Sequence, residues 1–159
     1  MKHDEADPHD TRNETEDERH DRNWNDLLQE LRVTQTGTQI LTGFLLALAF
    51  QQRFTDLNEL QVDLYLVLVG LAGLATALGL APVVLHRTFF NKRMKEHVVT
   101  VGNRLLMAEI VVVGLLTIGV TSFVFDFVIG GNAGAISAII TTIVIVSLWV
   151  LLPQLRRKD

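Results

Sequence analysis

At 159 residues with a hydrophobic share of 48% and a mean hydropathy of +0.29, the chain is too apolar for an ordinary soluble domain, and its apolar residues fall in long blocks. The sequence holds no cysteine, which excludes disulfides, thiolate metal sites and cysteine nucleophiles. The formal net charge of -4 is unevenly spread: residues 1–23 carry nine acidic and four basic side chains, so that segment alone is -5 and the remainder is +1.

Residues 1–23 have almost nothing apolar to bury and read as a disordered acidic tail. His3, His9 and His20 in it match no ligand spacing, so the expectation is a solvated linker and no metal site. A cleavable signal needs an apolar core that this stretch lacks, so the first span is expected to act as its own insertion signal. From Trp24 the character changes. Trp24, Leu27, Leu28 and Leu31 recur at helical spacing with Asp26 and Glu30 opposite, the pattern of a short amphipathic helix at a membrane surface, capped by Asn23 or Asn25. Nothing breaks the pattern as it runs into "VTQTGTQILTGFLLALAF", which predicts a first span over residues 34–53. Its uninterrupted apolar core, residues 44–50, is short for a bilayer that needs about 20 residues, so polar side chains must fill the inner half.

Three further spans follow. Residues 61–85 are apolar apart from Asp63 near the start, with Pro82 near the end, where a kink is tolerated. Residues 104–129 form the third span, and after the turn-rich "GGNAG" the fourth occupies 133–152, stopped by Pro153. The expected fold is thus an all-α membrane protein with four transmembrane helices and a short N-terminal interfacial amphipathic helix, residues 24–157 forming the membrane domain. Lys and Arg concentrate before the first span, in "HRTFFNKRMKEH" and after the fourth, whereas the other face shows only Arg53. The positive-inside rule then predicts a multi-pass protein of the plasma membrane with both termini cytoplasmic.

"ELRVTQTGTQILTGFLLALAFQQRF" (30–54), "LAPVVLHR" (80–87), "NR" (103–104) and "LWVLLPQLRR" (148–157) resemble a family of small four-span membrane proteins of unknown function, common in high-GC Gram-positive bacteria. The resemblance covers all but the tail, and its first block is the most specific. Some members carry a sodium/proton antiporter label. The resemblance implies four-span topology and brings no active site to transfer.

The polar residues inside the spans carry the functional expectations. Arg32, Gln35, Thr36, Gln39, Thr42 and Gly43 fall along one stripe of the first helix, which either hydrogen-bonds neighbouring helices or lines an aqueous path. Arg104 and Glu109 are five positions apart, about 140° around a helix, and so are poor partners for each other. Arg104 can snorkel from the cytoplasmic edge. Glu109 lies about 7 Å deeper at 1.5 Å per residue, where an unpaired carboxylate must protonate or find a donor. Gln35, Gln39, Arg32 and Arg87 are the expected donors, and the layer they form is the expected proton or cation site. On the outer side, Arg53, Asp63 and Asp126 are expected to meet, either as structural glue or as an acidic mouth that concentrates cations. His86 reads as a headgroup contact.

No phosphate loop, HExxH or nucleophile elbow occurs, so neither enzyme activity, a cofactor nor nucleic-acid binding is expected. Gly73, Ala77 and Ala81, and Gly134, Ala138 and Thr142, read as two small-residue ladders for close helix packing. Two functions remain open. The first is an oligomeric transporter or channel for protons or monovalent cations; the second is a non-transporting scaffold that binds a protein partner through its tail or its small-residue faces.

Overall fold

A computed structural model of the chain describes residues 16–89, 95–151 and 154. Four helices follow one another: α1 Glu16–Leu48, α2 Glu59–Phe89, α3 Lys95–Ile129 and α4 Ala133–Val146, the last continuing into a π-helical turn at Ser147–Leu151. The described residues contain no strand.

α1 departs from expectation at both ends. Residues 16–23, read from the sequence as disordered, are its first two turns. Residues 1–15, the rest of the expected tail, lie outside the described residues. Trp24, Leu27 and Leu31, expected to lie on a membrane surface, are instead buried against Val98 and Leu106 of α3. They open a seam whose later members are Thr34, Thr38, Leu41, Leu45 and Leu48, all buried or half-buried. The alternating spacings of three and four keep one face of a long helix turned to its neighbours. The helix stops at Leu48 rather than Arg53, and Gln52–Asp56 form a 3-10 turn. α2 then starts on a reciprocal cap: the Asn58 amide donates to Gln61 Oε1 at 3.1 Å, and the Gln61 amide donates to Asn58 Oδ1 at 2.9 Å.

Three helical segments are long and apolar enough to cross a membrane, Glu59–Leu85, Val98–Ile129 and Ala133–Leu151. The expected first span is not among them, because the continuous apolar run of α1 begins only at Phe44 and most of the helix before it is polar. The described residues therefore form a helical bundle with three helices of membrane-crossing character, and the sequence expectation of four is met by composition in three.

α3 is the central helix and packs against all three others. α1 runs parallel to it, since Trp24 and Leu27 lie over Gly102 while Gln35 reaches the level of Glu109. α2 runs antiparallel to both: its Gly79 meets Gln35 and Glu109, and its Tyr65 donates a buried hydrogen bond to Leu45 O at 3.0 Å. α4 rests on α3 alone among its larger contacts, after a turn in which Gly130 and Gly131 take φ values of 75° and 63° that other residues avoid.

The small-residue ladders hold only in part: Ala81, Gly134 and Ala138 are buried or half-buried, the other members exposed. Gly73 and Ala77 are exposed, and the small residues of α2 that face its neighbours are Ala72, Ala75 and Gly79, one helical step around. On α4 Thr142 is exposed, while Gly134 and Ser137 are buried. A Cβ on Gly134 would stand 2.8 Å from Asp126 Cβ, so α3 and α4 approach closely there.

Two apolar clusters result. One joins Trp24, Leu27, Leu31, Val98 and Leu106; the other joins Leu45, Tyr65, Leu68, Ala72, Leu116 and Phe123. The seam of α1 passes from one to the other through Thr34 and Thr38.

Candidate functional site

Between the two clusters lies a polar layer at the junction of α1, α2 and α3. Its centre is Glu109, 0% exposed, with neither carboxyl oxygen hydrogen-bonded. Thr38, also 0% exposed, projects from α1 with its hydroxyl oxygen likewise unpartnered. Thr34, one turn earlier, stands beside the Glu109 carboxyl, but its hydroxyl donates to its own helix, at 3.0 Å to Leu31 O and 3.3 Å to Glu30 O. Gln35 completes the α1 side. Its Nε2 donates to Thr76 O of α2 at 3.5 Å, the outer limit of a hydrogen bond.

Gly79 makes the junction possible. A Cβ at this position would overlap Gln35 Nε2 and come within 2.6 Å of Glu109 Oε1. The ends of one side chain from α1 and one from α3 therefore meet in the space that α2 leaves by having no side chain there.

The expected site residues divide. Glu109 and Gln35 approach each other at Gly79, but the Gln35 amide donates to Thr76 O and not, as expected, to the carboxyl. Gln39 does not approach: it is exposed and faces away from Glu109. At 100° per residue Gln35 sits about 80° from the seam centre and can bend inward, whereas Gln39 sits about 120° away. Arg104, Arg32 and Arg87 are exposed as well, so none is the buried counter-ion of Glu109. For Arg104 this matches an anchoring role at the rim.

The expected outer layer does not assemble. Arg53 pairs with Asp56 at 3.5 Å, with side chains 73% and 59% exposed, and its guanidinium lies 4.8 Å from the centre of the Phe127 ring. Asp126 instead accepts a hydrogen bond from Gln61 Nε2 at 2.8 Å, and Asp63 is exposed. The physical reason is chain direction: Arg53 follows the end of α1 in a 3-10 turn and so pairs locally. The side chains of His86 and His20, together with His3 and His9, lie outside the described residues.

Sequence reasoning missed Thr34, Thr38, Thr76 and Gly79. The seam would have found the two α1 threonines, because alternating steps of three and four from Trp24 land on them. No comparable signal singles out Gly79 among the glycines of α2.

Chemically, the layer centres on the Glu109 carboxyl, with the Gln35 amide nitrogen at the same junction. Such a carboxyl can hold a proton. Residues 13–153 match a family of unknown function, DUF6328. The chain belongs to this family. No curated protein and no solved structure matches it. The matched stretch contains the whole polar layer, and since the description of DUF6328 assigns no activity, the chemistry of this member has to be argued from Glu109 and its surroundings.

Proposed function

We propose that this DUF6328 protein is a four-helix plasma-membrane protein that moves protons or a monovalent cation past Glu109, working as an assembly of identical copies. One observation carries the reading: a fully buried carboxyl with the Thr34 hydroxyl as its one neighbouring donor, set at a three-helix junction between two apolar clusters. A carboxyl kept only to bridge helices would have its donors in place, because an unsatisfied buried polar group is costly. A group that binds and releases a proton or a cation must leave coordination capacity open.

The fourth crossing helix is α1. Its seam accompanies α2 and α3 from Trp24 to Leu48, which supports membrane passage despite its composition. Arg32, Arg87 and Arg104 lie toward the end of the bundle at which α1 and α3 begin and α2 ends, which supports a cytoplasmic assignment for that end. The chain needs no cofactor and catalyses no reaction in this reading, and its solvent partner is the lipid bilayer.

The test is flux in liposomes. Purified protein under an imposed pH or monovalent-cation gradient should dissipate it, and Glu109→Gln, which keeps shape but removes the titratable group, should abolish the flux while accumulating as folded protein. The alternative reading is a non-transporting membrane scaffold that binds a partner protein through its N-terminal tail or its small-residue faces. Absence of flux in the parent, alongside a well-expressed Glu109→Gln variant, would select it.

A further inference from the structure

The packing seam of α1 has a counterpart on the opposite face. Arg32, Thr36, Gln39, Gly43 and Leu46 are spaced by alternating steps of four and three, and all five are exposed. This is the periodicity of a helix-packing stripe, and no helix among the described residues covers it.

Depth makes the exposure significant. Gln35 lies over Gly79, about 9 Å inside Leu85, the end of the apolar segment of α2, at 1.5 Å per residue. Gln39 is one turn further in. It therefore sits about 15 Å from that end, near the middle of a hydrocarbon core about 30 Å thick. Thr36 has satisfied its hydroxyl within its own helix by donating to Arg32 O at 2.8 Å. Gln39 makes no hydrogen bond among the described residues, and acyl chains offer none. Its amide needs an external partner at that depth.

We infer that this second stripe is the interface with a second copy of the chain, the two α1 helices packing in parallel about a two-fold axis along the membrane normal. The inference rests on the proposal that α1 crosses the bilayer. Such an axis places every residue opposite itself at equal depth. Of the stripe residues at bilayer depth, Gln39 alone carries both an amide donor and an amide acceptor free to leave its own helix, so two copies satisfy each other reciprocally. Gly43, with nothing within 4 Å of a Cβ position, and the small Thr36 let the backbones approach on either side of it. Arg32 falls at the rim, where its long side chain splays toward the headgroups.

The cysteine-free sequence makes the test direct. Single-cysteine variants across α1 are oxidised in membranes and scored for disulfide-linked dimers. Thr36→Cys, Gly43→Cys and Leu46→Cys should cross-link and stop at two copies, while Gly37→Cys and Phe44→Cys, on the flank, should not. Gln39→Leu should weaken the dimer by about 3- to 20-fold, the range found for interhelical polar contacts in membranes. Cross-linking that peaks on the flank or on α4, that continues beyond two copies, or a dimer unaffected by Gln39→Leu, overturns the interface. A membrane-impermeant maleimide distinguishes the two proposals: if it labels Gln39→Cys freely, the membrane passage of α1 fails, whereas a shielded but uncrosslinked cysteine overturns only the dimer.

Discussion

Gly79 shows how much of the site depends on a side chain that is absent. The three atoms that an added Cβ would displace belong to the ends of flexible side chains, Gln35 Nε2 and Cδ and Glu109 Oε1. Gly79→Ala should therefore cost only about 1 kcal/mol, the low end of overpacking, measured as a shift in the thermal unfolding midpoint in detergent. Gln35→Ala in the same chain should recover most of that cost, a coupling a double-mutant cycle reads directly. Independent, additive effects would show that the three residues do not share one space. Glu109 was legible in the sequence because a carboxylate inside an apolar run stands out against its neighbours. Thr38 was not, because threonines in such helices ordinarily bond back to their own backbone, as Thr42, Thr117 and Thr121 do here, and so carry no signal of being special.

α1 is the element in which local and tertiary forces disagree most. Its polar first half reads as a segment for water and its apolar last turns as one for lipid, yet a single helix of 33 residues joins them. What holds the first half is Trp24, Leu27 and Leu31 against α3, so Trp24→Ala should destabilise by about 3 to 5 kcal/mol. Deleting residues 1–15 should leave the unfolding midpoint unchanged. Equal tolerance of both changes would show that the α1–α3 contact contributes little. At the other end of the bundle Gln61 both closes the cap of α2 and donates to Asp126 of α3. Gln61→Ala should cost about 1 to 2 kcal/mol through loss of both bonds. Gln61→Glu would keep the cap but set one carboxylate against another, and should be worse than alanine if the Asp126 contact matters more.

For the whole molecule, α3 at the centre makes the bundle asymmetric, with α1 and α2 sharing the polar layer and α4 resting on α3. The exposed residues of α4, among them Ile136, Ile139, Ile140 and Ile143, then face outward as an apolar wall suited to acyl chains. A reporter active only in the cytoplasm should work when fused after Asp159 and fail when inserted between Gly131 and Asn132. The opposite result would invert the bundle in the membrane and place Arg53 on the cytoplasmic side, against the bias of the basic residues.

The helical character, with three helices long and apolar enough to cross a membrane, was determined by the sequence alone, because an unbroken apolar block of about 20 residues satisfies its backbone in lipid as a helix. The positions of α2, α3 and α4 followed from those blocks, and the turn after α3 from its paired glycines. Which polar residues meet was decided only by the tertiary structure. Gln35 and Gln39 are equivalent by spacing, and Arg53, Asp63 and Asp126 are equivalent by depth. One face of α1 turns inward to α2 and α3, and that rotation carries Gln35 to Glu109 while leaving Gln39 outside. Periodicity defines the faces of a helix, but which neighbour each face meets depends on packing between segments far apart in the chain.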